Sequence, residues 1–203
     1  MLAALTGTGL SAAAGLNAYI PFILVALIAR FTDVVTLPHQ YAWIESNWAI
    51  GIAAVLLLSE VVLDKVALVD HLNDAVGTFV RPATGGLIFA ATTAAGDFEQ
   101  GSSFMQDNPW IGVLLGIVTA GIVHTAKAVT RPVVNAGTAG LGTPVVSAAE
   151  DGAALTLSLI AIFIPVLVVF LLLLLLWGLF ALWRRNRRRK QHRDQLMSDA
   201  GYS

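Results

Sequence analysis

The chain has 203 residues, of which 57% are apolar and only 12% are charged, and it contains no cysteine. Soluble domains carry about twice that charged fraction, and so few charges cannot cover a water-exposed surface of this size. The composition therefore argues against a soluble enzyme or a nucleic-acid-binding protein and predicts an integral membrane protein. The lack of cysteine also excludes disulfides, thiol catalysis and thiolate metal sites.

The charges are distributed unevenly along the chain. Residues 1–183 contain five basic and eleven acidic residues, whereas residues 184–203 contain seven basic and two acidic residues. Because a basic flank after a long apolar stretch resists translocation, this tail predicts a membrane protein with a cytoplasmic C-terminus. The run from Arg184 to Lys190 is also expected to contact anionic lipid, and no nucleic-acid partner is expected.

The apolar stretches predict an all-α, polytopic bundle over residues 1–183, followed by the basic cytoplasmic tail 184–203. A helix needs about 20 apolar residues to cross the hydrocarbon core of a bilayer. The acidic connection 96–107 suits the outer side, and the parity of crossings then requires residues 132–150 to cross as well. About six membrane segments are expected, namely 2–29, 48–69, 72–95, 109–130, 132–150 and 155–183.

Two of these segments are expected to be broken or re-entrant. Glycine and proline are frequent in 132–150, and Pro82 stands close to two glycines in 72–95; both residue types weaken a helix. Irregular backbone at membrane depth is tolerated only inside protein or beside a wet cavity. In both, a glycine-rich stretch follows an Arg-Pro pair, at Arg81 and Arg131, a weak internal repeat that would permit an inverted arrangement of two halves.

Polar side chains are predicted to form two stripes. If residues 60–81 continue as one helix at about 100° per residue, one face carries most of the polar groups. These groups are Glu60, Asp64, His71, Asp74 and Arg81. The helix that starts near Trp110 carries a second, basic stripe with His124, Lys127, Arg131 and Asn135.

The two stripes are expected to face each other, because an unpaired charge in a low-dielectric interior costs several kcal/mol. Three readings remain open: a hydrated pathway, structural ion pairs, or an amphipathic helix at the cytoplasmic surface. Asn17, beside the break expected at Pro21, joins the candidate pathway, as do Glu150 and Asp151 after the glycine-rich segment. No catalytic residue, metal site or cofactor is predicted, since no enzyme motif is present.

A resemblance to a known family is carried by three strings: GLSAAAGLNAYIPFI, DHLNDAVGTFVRPATG and HTAKAVTRPVVNAGTAGLGTPVVSAAED. They resemble the bacterial membrane family designated domain of unknown function 4126. The likeness covers most of residues 7–154 and implies a compact polytopic helical protein, a multi-pass protein of the bacterial plasma membrane, whose marked residues fall within these strings. It implies no activity.

The leading hypothesis is a small membrane transporter or channel-like protein, which carries a small solute or ion through a polar site formed by broken helices and charged stripes. The alternative is a non-transporting scaffold or lipid-handling protein that acts through its basic tail. An intramembrane enzyme ranks third, and a homo-oligomer is left open.

Overall fold

The structure is a computed structural model that describes residues 2–64, 67–95, 108–138 and 141–171, together with 173, 174, 177 and 184; the side chains of 67–73, 133, 135 and 136 are outside this set. These residues form helices and no strand. We name the helices α1 (Leu2–Leu16), α2 (Tyr19–Phe31), α3 (Asn47–Leu63), α4 (Ala67–Ala94), α5 (Pro109–Thr138) and α6 (Thr143–Phe163), with a 3-10 helix (His39–Glu45) before α3.

Helix α1 lies at the centre of the bundle, against α4, α5 and α6. Every residue from Gly9 to Gly15 is buried, and most of them are glycine or alanine. Small residues allow neighbouring backbones to approach closely, which is the usual basis of helix packing in membranes. A Cβ at Gly15 would lie 2.5 Å from Ala120 O of α5, so this contact admits no side chain.

Helix α1 runs antiparallel to both α4 and α6. Gly7 of α1 lies against the ring of Phe89, and Ser11 Oγ donates to Gly85 O at 2.8 Å, so α1 and α4 are antiparallel. Two contacts show that α6 is antiparallel to α1. At one end of the helix pair, Gly9 lies against Ala161. At the other end, Asn17 is hydrogen-bonded to Asp151.

The segment expected at 2–29 is divided into two helices. Both α1 and α2 are short, and neither Asn17 nor Ala18 belongs to a helix. Helix α2 packs against α3, and Arg30, near the end of α2, donates to Glu45 O, before the start of α3, at 2.9 Å. The expected polar break is therefore present, but it separates two helices.

The break expected within 72–95 is wrong. Helix α4 is continuous through Pro82, Gly85 and Gly86. The glycines serve close packing instead, because a Cβ at Gly85 would lie 2.5 Å from Ala120 Cβ and 2.9 Å from Gly116 O on α5. Contacts along both α1 and α5 hold α4 together despite the hydrogen bond that Pro82 cannot donate.

Residues 132–150 do not form a helix of their own. Helix α5 continues to Thr138, a turn includes Leu141 and Gly142, and α6 starts at Thr143. Arg131 and Glu150, at similar distances from this turn, form an ion pair, which makes α5 and α6 an antiparallel hairpin. The expected interruption is real, but it is the bend of this hairpin.

The last expected segment, 155–183, is also divided. Helix α6 ends at Phe163, Ile164 has φ −138° and ψ 60°, and residues 165–171 are helical again. Pro165 accounts for the stop, because proline disfavours helical geometry in the residue before it. Residues 1–168 form one compact unit and residues 169–203 a second one.

The first unit has an apolar exterior and a charged interior. Trp48 is 60% exposed whereas Arg81 is 1% exposed. Other large apolar side chains on the outside are Ile52, Val55, Val62, Leu114, Val118, Ile122, Val145 and Phe163. This arrangement is the reverse of a water-soluble protein, and it suits a surface in contact with lipid.

Two helices in the described part of the chain are long and apolar enough to cross a membrane, Pro109–Pro132 and Thr143–Phe163. A third span results if the 3-10 helix and α3, which meet at 54°, count as one broken span. Helices α1 and α2 are apolar but shorter. The protein is therefore an all-α membrane bundle, and the count of about six segments stays a prediction.

Candidate functional site

A group of buried ionisable side chains joins four helices of the bundle. The acidic members come from α3, α4 and α6, and the basic ones from α4 and α5. Asp64, directly after α3, is included because its backbone N–H still bonds to Glu60 O. We call this group the ion cluster, and it consists of Glu60, Asp64, Asp74, Arg81, His124, Lys127, Arg131 and Glu150.

Asp64 is the acceptor that the three cations share. Its Oδ2 lies 2.8 Å from Arg131 Nη2, 3.2 Å from Lys127 Nζ and 3.9 Å from Arg81 Nη2. The Asp64 side chain is only 2% exposed. Because a carboxylate at this depth has little water to solvate it, the three cations stabilise its charged form.

Arg81 connects α4 to α3 and α5. Its Nη2 donates to Glu60 Oε1 at 2.8 Å, and its Nη1 donates to Asp74 Oδ1 at 3.1 Å. The same Nη1 lies 2.8 Å from His124 Nδ1. A guanidinium has donors only, so Nδ1 accepts, and the ring is the neutral tautomer with its proton on Nε2. Nε2 then donates to Thr78 Oγ1 at 3.1 Å.

The cluster extends to α6 and to the end of α1. Lys127 Nζ lies 3.2 Å from Glu150 Oε2 and donates to Leu16 O, the last carbonyl of α1, at 2.9 Å. Arg131 also pairs with Glu150. A cation at the C-terminal end of a helix is favourable, because the free carbonyl groups there carry partial negative charge.

Asn17 stabilises the break between α1 and α2. Its Oδ1 accepts from the backbone N–H groups of Tyr19 at 3.0 Å and Ile20 at 3.2 Å, so it caps α2. Its Nδ2 donates to Asp151 Oδ1 at 2.9 Å. Asn17 is fully buried, and each half of its amide is therefore satisfied at the point where the helix is broken.

The cluster contains more carboxylates than cations. Four carboxylates, those of Glu60, Asp64, Asp74 and Glu150, face three cations, and His124 adds no charge as the neutral tautomer. Arg81 holds Glu60 by one oxygen only, Oε1. The other oxygen, Oε2, is buried and has no hydrogen-bond partner within the described part of the chain.

The structure brings together most of the residues that the sequence singled out. The predicted acidic and basic stripes do meet, through direct ion pairs. One premise is wrong: residues 60–81 are not a single helix, since α3 ends at Leu63 and α4 begins at Ala67. The stripe is formed by two helices whose polar faces converge. The side chains of His71 and Asn135 lie outside the described residues, as does the run 185–190.

Two polar groups of this site were not among the candidate residues. Thr78 lies four residues after Asp74 and three before Arg81 on α4, so helical spacing places it on their face, and its contact with His124 had a detectable signal. The carbonyl of Leu16 had none, because any helix end exposes carbonyl groups and only packing brings one to Lys127. No group of three or more His, Asp or Glu side chains among the described residues is arranged to hold a metal ion.

An apolar exterior around buried, paired charges, with helices long enough to span a bilayer, defines the class of this protein as a helical integral membrane protein. Residues 4–185 match the model of a family described as a domain of unknown function (DUF4126), and the chain belongs to that family. No curated protein and no solved structure matches it.

Proposed function

We propose that the protein transports or conducts a small charged solute across the membrane, and that the ion cluster is its polar site. The supporting observation is the burial of Asp64, Arg81, Lys127 and Arg131 inside a bundle with an apolar exterior. Ionisable groups inside a membrane bundle are costly to bury and typically mark substrate or ion pathways.

The broken helix supports the same proposal. The end of α1 and the start of α2 meet next to the cluster, where the side chains of Lys127 and Asn17 bind a carbonyl and two N–H groups of the backbone. Membrane transporters commonly bind solutes between such half-helices, where a solute can compete for backbone groups of this kind. In an uninterrupted helix the backbone groups would bond to one another.

In this proposal, the ion cluster with all of its pairs formed is the closed state of the transport site. Asp64 is shared between Lys127 and Arg131, and Glu150 is shared between the same two cations. A solute ion could replace one partner of a shared pair without leaving the other partner unpaired. This exchange distinguishes a transport site from a set of isolated structural ion pairs.

The test is a flux assay in proteoliposomes with small ionic and amino-acid-like solutes. Glu60→Gln and Lys127→Gln are expected to abolish or strongly reduce flux, because each removes one charge from the cluster. Arg30→Gln is the matched control, since Arg30 is exposed and bonds only to Glu45 O among the described residues. Unchanged flux in folded Glu60→Gln and Lys127→Gln variants would remove these residues from the mechanism.

The second candidate function is a scaffold or lipid-handling protein that acts through the basic tail. It is favoured by the seven basic residues of 184–203, since a juxtamembrane basic cluster attracts anionic lipid. Deletion of 184–203 separates the two candidates. If the deletion abolishes function while the ion cluster tolerates neutralisation, the scaffold is the correct function.

A further inference from the structure

An aromatic pocket opens on the outer surface of the bundle between α2, the 3-10 helix, α3 and α4. Its volume is about 180 Å³, and its walls are almost entirely apolar. The ring of Phe22 lies 6.1 Å from that of Trp43, which stacks on Trp48 at 6.0 Å. Trp43 and Trp48 are 40% and 60% exposed, so the mouth of the pocket is on the surface that we expect to face lipid.

The walls of this pocket continue into the ion cluster. On α3, Leu56 lines the pocket and Glu60 follows one turn later on the same face. On α4, Thr84 lines the pocket and Arg81 precedes it by about one turn. The Glu60–Arg81 pair therefore lies about one helical turn beyond the lining of the pocket, on the two helices that form its inner walls.

The chemistry at the Glu60–Arg81 pair favours a cation. Glu60 is 6% exposed, and Arg81 occupies its Oε1 while Oε2 has no partner among the described residues. The described cluster already has one carboxylate more than it has cations. A positively charged donor at Oε2 would satisfy the buried acceptor and neutralise the surplus charge, whereas an anion would add to it.

We propose that this pocket binds a small lipophilic ammonium ion, with its apolar body between Phe22, Trp43 and Trp48 and its charged group directed to Glu60 Oε2. Aromatic faces attract organic cations as well as apolar groups, so both parts of such a ligand are complementary to the pocket. This inference deepens the proposed function by naming a substrate class for the same site, and binding can be measured without transport.

The experiment measures binding by tryptophan fluorescence. In a variant with Trp110→Phe, Trp177→Phe and Trp183→Phe, the tryptophan fluorescence comes from Trp43 and Trp48 alone. The probe is 2-phenylethylammonium, added to the purified full-length protein in detergent, and 2-phenylethanol is the uncharged probe of similar size. We expect saturable quenching by the ammonium ion and affinity for the alcohol weaker by about tenfold or more, because the alcohol cannot pair with a buried carboxylate.

Three variants make the test specific. Glu60→Gln is expected to reduce affinity for the ammonium ion by about tenfold or more, whereas Glu45→Gln, a carboxylate outside the cluster, leaves it unchanged. Leu56→Trp narrows the pocket without altering any charge, and Leu56 is 41% exposed, so the larger ring can be accommodated. Because this variant adds a tryptophan to the pocket, its binding of the ammonium ion is measured by equilibrium dialysis, side by side with the parent protein. We expect it to abolish binding even if Glu60→Gln does not fold.

Equal affinity for the alcohol and the ammonium ion would overturn the inference and indicate an apolar site for a lipid chain. Undiminished binding in Leu56→Trp, or in a folded Glu60→Gln, would also overturn it. The proposed function fails separately: quenching without flux of the ammonium ion in proteoliposomes refutes transport of this ligand while leaving the binding site intact. Flux of other ions without fluorescence quenching by the ammonium ion refutes only the binding site in the aromatic pocket.

Discussion

Asp64→Asn is expected to be the most destabilising single neutralisation of a carboxylate in the ion cluster. The carboxylate of Asp64 is within 4 Å of all three cations and is almost fully buried. Removing one partner of a buried ion pair costs about 3 to 5 kcal/mol, because the remaining charges stay buried without compensation. Asn keeps the size and shape of the side chain, so the loss of stability measures the effect of the charge alone.

Asp74→Asn provides an internal comparison. Asp74 is 14% exposed and has one cationic partner among the described residues, Arg81, which also pairs with Glu60. Because the cluster has a surplus carboxylate, loss of this charge is expected to cost about 2 kcal/mol at most. Glu45→Gln lies outside the cluster and is expected to change stability by less than about 0.5 kcal/mol.

A double variant tests whether the cost of Asp64→Asn arises from uncompensated cations. Adding Lys127→Met removes one of the cations that lose their partner in Asp64→Asn. The two changes together are expected to cost less than the sum of the single changes by about 1 to 3 kcal/mol. All variants are compared by denaturant unfolding in detergent, with helical circular dichroism as the signal. If Asp64→Asn matches Glu45→Gln in stability, the cluster is hydrated and the argument from burial fails.

Three further predictions follow from the packing, the helix break and the hairpin. Gly116→Ala is expected to lower the unfolding temperature because its Cβ would meet the backbone of α4, whereas Gly121→Ala, with open space around it, is expected to raise it slightly; equal effects would contradict the close contact. Asn17→Ala is expected to cost about 1 to 2 kcal/mol in the same unfolding assay, because α2 loses its cap and Asp151 loses a donor; an unchanged midpoint would show that the break needs no cap. Single cysteines at Ser102 and Leu141 are expected to be labelled from opposite sides of the membrane, because the candidate span Pro109–Pro132 separates them; protection of position 141 from both sides would support a crossing by 132–150 instead.

The ion pairs explain why positive charges in this sequence are an incomplete guide to its orientation. Lys127 and Arg131 are buried against Asp64 and Glu150, so they do not lie in a loop where the positive-inside rule applies. Residues 132–150 form no separate helix, and the parity argument depended on one. The expected cytoplasmic location of the tail therefore rests on its own basic residues.

Properties that depend on composition and short-range periodicity were accessible from the sequence by itself. The membrane class follows from the scarcity of charge, and the basic stripe on α5 follows from helical spacing, because residues three or four apart share a face in any helix. The polar break near Asn17 was also detectable, since an amide and a proline lie close together in an otherwise apolar segment. Each of these inferences needs only neighbouring residues.

Only the tertiary structure decided where helices end and which charges pair. Pro82 is accommodated within α4 because Gly85 packs against Gly116 of another helix, a contact that local propensity cannot anticipate. The sharing of Asp64 by cations from two helices likewise depends on how α3, α4 and α5 are arranged. Burial and charge compensation are sums over neighbours distant in the chain, so they exist only once the bundle is assembled.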